Sequence, residues 1–379
     1  MTRPRPPGRG TAAAALLAAL LLAAGCTSGT ADTSGSSASS APAGSPGSGT
    51  AGVRVAGTVA EGLDTPWGLV RLPDGDLLVG SRDTGRVLRV AAAGGAGGGG
   101  GTEVGTVPGT TAGGEGGLLG LALSPDGRLF AYQTAAEDNR VLRFDWDPTR
   151  PAGEQLGPPT VVLSGIPKAG FHDGGRIAFG PDGLLYVGTG DAGRSAQAQD
   201  RTALGGKILR ITPDGAPAPG NPFPGSPVYS LGHRNVQGLA WDPAGHLWAS
   251  EFGQNTWDEL NLIKPGANYG WPVVEGRAGR GGCSDPVAQW SPADASPSGI
   301  AYADGSIWLA ALRGTRLWQV PLDGERAASA PTPYLRTTYG RLRTVLAEPD
   351  GTLLLTTSNT DGRGTPRPGD DHILRITLH

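Results

Sequence analysis

The sequence predicts an all-β protein, a six-bladed β-propeller. One unit recurs six times: a short apolar strand, a tight turn of the Pro-Asp-Gly kind, and a second strand running back. Beyond an N-terminal leader, no segment shows the 3.6-residue apolar period of a helix. The composition agrees, because 65 Gly and 33 Pro without a collagen period suit many short strands joined by turns. Sheets this small bury their faces by stacking radially, which also leaves only short, protected edges.

The chain opens with Arg3, Arg5 and Arg9 before an apolar run over residues 12–24. That run is short for a bilayer and reads as the core of a signal peptide. It ends in Leu22-Ala23-Ala24-Gly25-Cys26, which resembles a bacterial lipobox. Residues 1–26 are therefore expected to be a lipoprotein signal peptide with Cys26 lipidated. That would place the protein outside the cytoplasm, anchored to the outer face of the bacterial membrane by its lipid alone. Residues 27–52 are almost wholly Ser, Gly, Thr, Ala and Pro and read as a disordered tether. With Cys26 lipidated, Cys283 has no intrachain partner, so packing must supply the stability. The net charge of −3 gives no support to nucleic-acid binding.

Residues 53–379 then form the propeller domain. Its units span residues 68–79, 120–130, 176–187, 238–248, 299–308 and 345–354, recurring roughly every 45 to 62 residues. Residues 85–90, 140–144 and 207–211 supply third strands. Residues 53–59 are expected to add a strand to the last unit and close the ring. Trp67, Trp241, Trp248, Trp271 and Trp308 sit on or beside these strands and are expected between blades.

Polar residues recur just before the first strand of a unit, and in a propeller those places converge on the axis. Glu115 precedes the second unit, His172 the third, Arg234 and Asn235 the fourth, Arg341 and Arg343 the sixth. The third unit turns at Pro181-Asp182-Gly183, so its hairpin brings His172 near Asp191. A carboxylate beside an imidazole fixes its tautomer and supports it as a general base. Arg341 and Arg343 are two apart and face one way on a strand. Arginine is an always-charged, bidentate donor, suited to carboxylates. Asp258 and Glu259, with the backbone near Tyr269, offer the oxygen donors that calcium takes.

Several motifs now stand in order. They are Pro66-Trp67-Gly68, Gly-Glu-Gly-Gly-Leu-Leu-Gly from Gly114, His172 with Gly175-Arg176-Ile177, and Ala198-Gln199-Asp200. Gly205 with Lys207-Ile208-Leu209-Arg210, Gly232-His233-Arg234-Asn235, Asp258-Glu259 and Asn268-Tyr269-Gly270-Trp271 follow. Together they resemble the glucose/sorbosone dehydrogenases, soluble PQQ-dependent aldose sugar dehydrogenases, over roughly residues 63–378. The resemblance implies a six-bladed propeller holding pyrroloquinoline quinone (PQQ) and Ca2+. It implies oxidation of an aldose at C1 to its lactone, with electrons passed on to an acceptor the sequence does not identify. His172 would be the base and Asp191 the acid that orients it. PQQ carries three carboxylates, which Arg234, Arg341 and Arg343 would clamp with the Asn235 amide. A structural calcium would sit on Glu259 and the Tyr269 carbonyl, and a cofactor-side calcium on the Gly253 and Gln254 carbonyls.

Three positions depart from the pattern. Glu115 stands where some members have glutamine against the cofactor, and a carboxylate there repels an anion unless protonated or cation-bound. Phe252 replaces a polar residue, and Arg313 replaces an expected lysine at the cofactor. A calcium-dependent lactonase and a non-catalytic surface ligand-binding propeller are the rival readings. The first needs a central metal with several acidic ligands, whereas this axis reads as cationic. Intact His172, Asp191, Arg234, Arg341 and Arg343 argue against the second.

Overall fold

The computed structural model describes residues 52–92 and 99–379. The expected signal peptide, Cys26 and all of the tether except its last residue lie outside them. Six antiparallel sheets follow one another along the chain. The first contains Pro66–Arg71, Leu77–Ser81, Arg86–Val90 and Thr102–Thr106. The second contains Leu118–Leu123, Leu129–Thr134, Asn139–Phe144 and Thr160–Ile166. The third contains Ile177–Phe179, Leu185–Gly188, Lys207–Ile211 and Val228–Leu231. The fourth contains Val236–Trp241, Leu247–Glu251, Asp258–Ile263 and Ala288–Trp290. In the fifth, Pro297–Ala303, Ser306–Ala311 and Arg316–Asp323 are followed by two short partners of the last strand. The sixth contains Leu342–Ala347, Leu353–Thr357 and Ile373–Leu378. Val53–Ala60 pairs with Ile373–Leu378 and completes this last sheet with the first strand of the chain. The predicted six-bladed propeller and its closing strand are both present.

Six apolar clusters hold the ring, one between each pair of neighbouring blades. Phe130 and Val141 of the second blade, for example, meet Leu185 and Leu209 of the third. The innermost strands approach backbone to backbone, which dictates glycine. A Cβ on Gly120 would lie 2.3 Å from the Gly175 carbonyl oxygen. One on Gly238 would lie 2.5 Å from that of Ser298. Trp67 is buried at the wall of the axial cavity, and Trp248 and Trp308 are buried in these interfaces, as expected. Trp271 is not: it faces the site described below. Among the described residues Cys283 is a free thiol. No helix among them is long and apolar enough to cross a membrane.

Candidate active site

The third blade positions the titratable pair. Ile177 pairs with Val187 and Phe179 with Leu185, so the chain before the first strand meets the chain after the second. There His172 Nδ1 lies 2.7 Å from Asp191 Oδ1. Asp191 is held from three sides, accepting also from Trp271 Nε1 at 2.8 Å and Gly193 N at 2.9 Å. Burial pushes the Asp191 carboxyl up, but these hydrogen bonds outweigh it and keep the pKa below its ordinary value. An ionised carboxylate at Nδ1 makes that nitrogen the donor and leaves Nε2 as the lone-pair nitrogen. Gly190 is required here, since a Cβ would lie 1.8 Å from the His172 carbonyl oxygen.

His172 lines an axial cavity of about 460 Å³. Its walls carry Arg82, Arg234, Arg313, Arg341, Arg343 and Arg363 against the carboxylates Glu115, Asp258 and Asp361. The excess of guanidinium makes it a site for an anion. Arg341 places Nε 2.9 Å and Nη2 2.8 Å from Asp361 Oδ2, and Arg343 Nη2 lies 3.7 Å from the same oxygen. The two arginines do face one way. Burial raises the Asp361 carboxyl, but the charges of Arg341 and Arg343 prevail and hold it low. Burial pulls Arg343 down to about 9 against the opposing pull of Asp361. Its Nε is buried without an acceptor. Arg234 Nε is likewise buried and unpartnered, while the guanidinium lies 5.3 Å from the Trp271 ring centre. Two desolvated guanidiniums with idle donors are the chemistry a bound carboxylate would satisfy. Arg176 packs behind this wall, its guanidinium 4.2 Å from the Trp67 ring centre and its Nε 2.8 Å from the Gln237 carbonyl.

The other expected residues divide. Glu115, Gly253, Gln254 and Arg313 line the cavity, as does Phe252. Asn235 does not: it is fully buried behind the wall, accepting from Gly174 N at 2.9 Å and donating to Glu115 at 3.3 Å. Asp258 and Glu259 face opposite ways, as neighbours on a strand must. Asp258 points to the cavity and accepts from Gly253 N and Ser296 N, with burial raising its carboxyl to about 6. Glu259 and Tyr269 instead border a separate void of about 10 Å³ with Glu251 and Glu275. Glu251 and Glu259 sit opposite each other on adjacent strands, and Asn261 donates to both, at 2.9 and 3.0 Å. Burial, then the Glu251 charge, pushes Glu259 up to about 8. The Gly253 carbonyl accepts from Arg234, so a cation bound there would displace that guanidinium.

Sequence reasoning missed Arg82, Asp361, Arg363 and Glu251. It also placed Trp271 in the core, although the indole hydrogen-bonds Asp191. Only the pairing of distant strands and loops brings these groups to the site.

The axial, cation-walled cavity thus sets an oriented His–Asp pair beside a place suited to an anion. The chain belongs to the Glucose / Sorbosone dehydrogenase family, whose sequence model matches residues 63–374, and is thus an oxidoreductase. It is similar to the solved PQQ-bound aldose sugar dehydrogenase of Streptomyces coelicolor. That likeness has a TM-score of 0.84 and 60% identity over 87% of this chain and 99% of that one. Quinoprotein glucose dehydrogenase B of Acinetobacter calcoaceticus is 32% identical over 65% of this chain, which spans 59% of that relative's length. Aldose sugar dehydrogenase YliI of Escherichia coli is 28% identical over 79% of this chain and 89% of its own.

Proposed function

We propose that this chain is a PQQ-dependent sugar dehydrogenase that oxidises an aldose at C1 to its lactone. The observation that carries the reading is the oriented base, His172 on Asp191, at the rim of a cavity walled by arginine. Bound in that cavity, PQQ supplies the hydride acceptor. The residues do the rest. Arg234, Arg341 and Arg343 would hold carboxylates of the group, and Asp361 faces two of those arginines. His172 Nε2 takes the proton of the C1 hydroxyl, and Asp191 stabilises the imidazolium that forms. The hydrogen bonds from His172, Trp271 and Gly193 keep Asp191 ionised and in place. The lactonase reading has less support, because the axial cavity sets six arginines against three carboxylates, whereas a central catalytic metal needs several acidic ligands. Apoprotein mixed with PQQ and calcium should oxidise one or more aldoses with an artificial acceptor. No turnover across a sugar panel, with PQQ bound, would overturn the activity.

Calcium belongs to the same proposal. The void beside Glu259 is the size of one small ion or water and is bordered by the carboxylates Glu251, Glu259 and Glu275, with Arg234 also in its wall. Asn261 Oδ1, between the two glutamates, has no donor. A carboxyl raised by folding favours the folded state only while protonated, so its contribution fades as pH climbs toward 8. A divalent ion replaces that proton. In chelator the melting temperature should therefore fall between about pH 5 and 8, and Glu259→Gln should flatten the fall. With calcium the wild-type fall should be smaller. Identical wild-type curves with and without chelator would remove the structural ion.

The expected anchor is a proposal of the same kind, supported by residues 22–26 and the tether. Cys26→Ser should release the protein from the membrane fraction or leave its precursor uncleaved. An unchanged membrane fraction and N-terminal mass would refute the lipid.

A further inference from the structure

Glu115 is the wall residue that the proposed function leaves unexplained. A carboxylate facing a pocket for a polyanion repels its own ligand. The structure shows what it does instead. Its Oε2 accepts from the backbone N of His172 at 2.8 Å and from Asn235 Nδ2 at 3.3 Å. Its Oε1 lies 3.0 Å from Arg363 Nη1, on a loop 248 residues away. The Glu115 side chain is 16% exposed and that of Arg363 54%. Arg363 is itself tied down, its backbone N donating to Asp361 Oδ1 at 2.9 Å. One loop therefore carries both the carboxylate that holds Arg341 and Arg343 and the cation that meets Glu115. Burial raises the Glu115 carboxyl, and the bonds from His172 N and Arg363 bring it below its ordinary value, so it is ionised and needs a counter-charge.

We propose that Arg363 neutralises Glu115, so that the Glu115–Arg363 pair meets the bound quinone as an uncharged unit, as a single amide side chain would. The proposal rests on the PQQ reading above. Arg363 is on this account a positioning residue: it acts through Glu115 and touches no reacting atom. The arrangement also explains why the carboxylate is kept near His172. It anchors the backbone of that residue, which stands in the left-handed region at φ 58°.

The test is a titration of apoprotein with PQQ in calcium, followed by protein fluorescence. Arg363→Gln should bind about 3- to 10-fold more weakly, because Glu115 is left unpaired in the wall. That deficit should shrink at high salt, since the pair reaches solvent. Arg363→Lys keeps the charge and should bind nearly as wild type. Glu115→Gln/Arg363→Gln should return to within about twofold of wild type, the glutamine oxygen still accepting from His172 N. Wild-type affinity in Arg363→Gln would overturn the proposal. So would a double variant as weak as Arg363→Gln, which would make Arg363 a direct contact of the ligand. Failure of the wild type to bind PQQ would overturn the functional reading as well, and is thereby distinguished. The exposed Arg363 side chain leaves folding intact, which an unchanged melting temperature checks.

Discussion

His172→Gln should lower the turnover number by about 10²- to 10⁴-fold, the usual contribution of a positioned general base. The loss should fall on kcat with little change in quinone affinity, because the proton moves only on the way to the transition state. Geometry sets the expectation. Asp191 Oδ1 is 2.7 Å from Nδ1, so the imidazole presents Nε2 to the cavity. Glutamine has no basic nitrogen to offer there. Asp191→Asn should cost less, since Asp191 orients the ring without taking the proton. Asparagine still leaves a base, but one oxygen must then serve donors that two oxygens shared, His172 and Gly193 on one and Trp271 on the other. Measuring kcat and KM separately for both variants checks this. A loss confined to KM would move His172 from catalysis to binding.

Arg343→Ala should weaken quinone binding by about 10- to 100-fold. That corresponds to the loss of a charge-assisted hydrogen bond worth about 1.5–3 kcal/mol. The apoprotein should not suffer in proportion. Arg343 is desolvated, its Nε has no acceptor, and its other ties are long: Nη1 to Gln237 Oε1 at 3.2 Å and Ser298 Oγ at 3.4 Å, and Nη2 to Asp361 at 3.7 Å. Asp361 keeps Arg341 at 2.8 Å after the change. Removing an under-satisfied buried charge should leave the melting temperature of the empty protein unchanged or raise it. A calorimetric titration and a melting curve on one sample measure both. Wild-type affinity would take Arg343 out of the cofactor site. A sharp fall in apoprotein stability would make it a structural residue.

The blades were legible because a Pro-Asp-Gly turn with apolar flanks is a local signal, repeated often enough to align. Their outermost strands were not. Thr160–Ile166 is largely exposed and Ala288–Trp290 is three residues long, so neither shows the alternation that marks a half-buried strand. The His172–Asp191 pair was legible for the same local reason, since one hairpin joins its members. Asp361 and Arg363 lie in a loop of Gly, Pro, Thr and charged residues that repeats nothing. Arg363 meets its partner from the far end of the chain, and no spacing rule reaches that distance. Glu251 emerges opposite Glu259 only when the two strands are paired in register. Trp271 looked like core because aromatic residues beside strands generally are. A carboxylate 80 residues earlier holds its indole N–H instead.

The most direct measurement is anaerobic single turnover. Protein loaded with PQQ is mixed with an aldose, and reduction of the bound quinone is followed by absorbance. The wild type should reduce its cofactor and release lactone, one for one, while His172→Gln with equal quinone loading should do so about 10²- to 10⁴-fold more slowly. Reduction at the wild-type rate in His172→Gln would contradict the mechanism, and no reduction in the wild type by any aldose would contradict the activity itself.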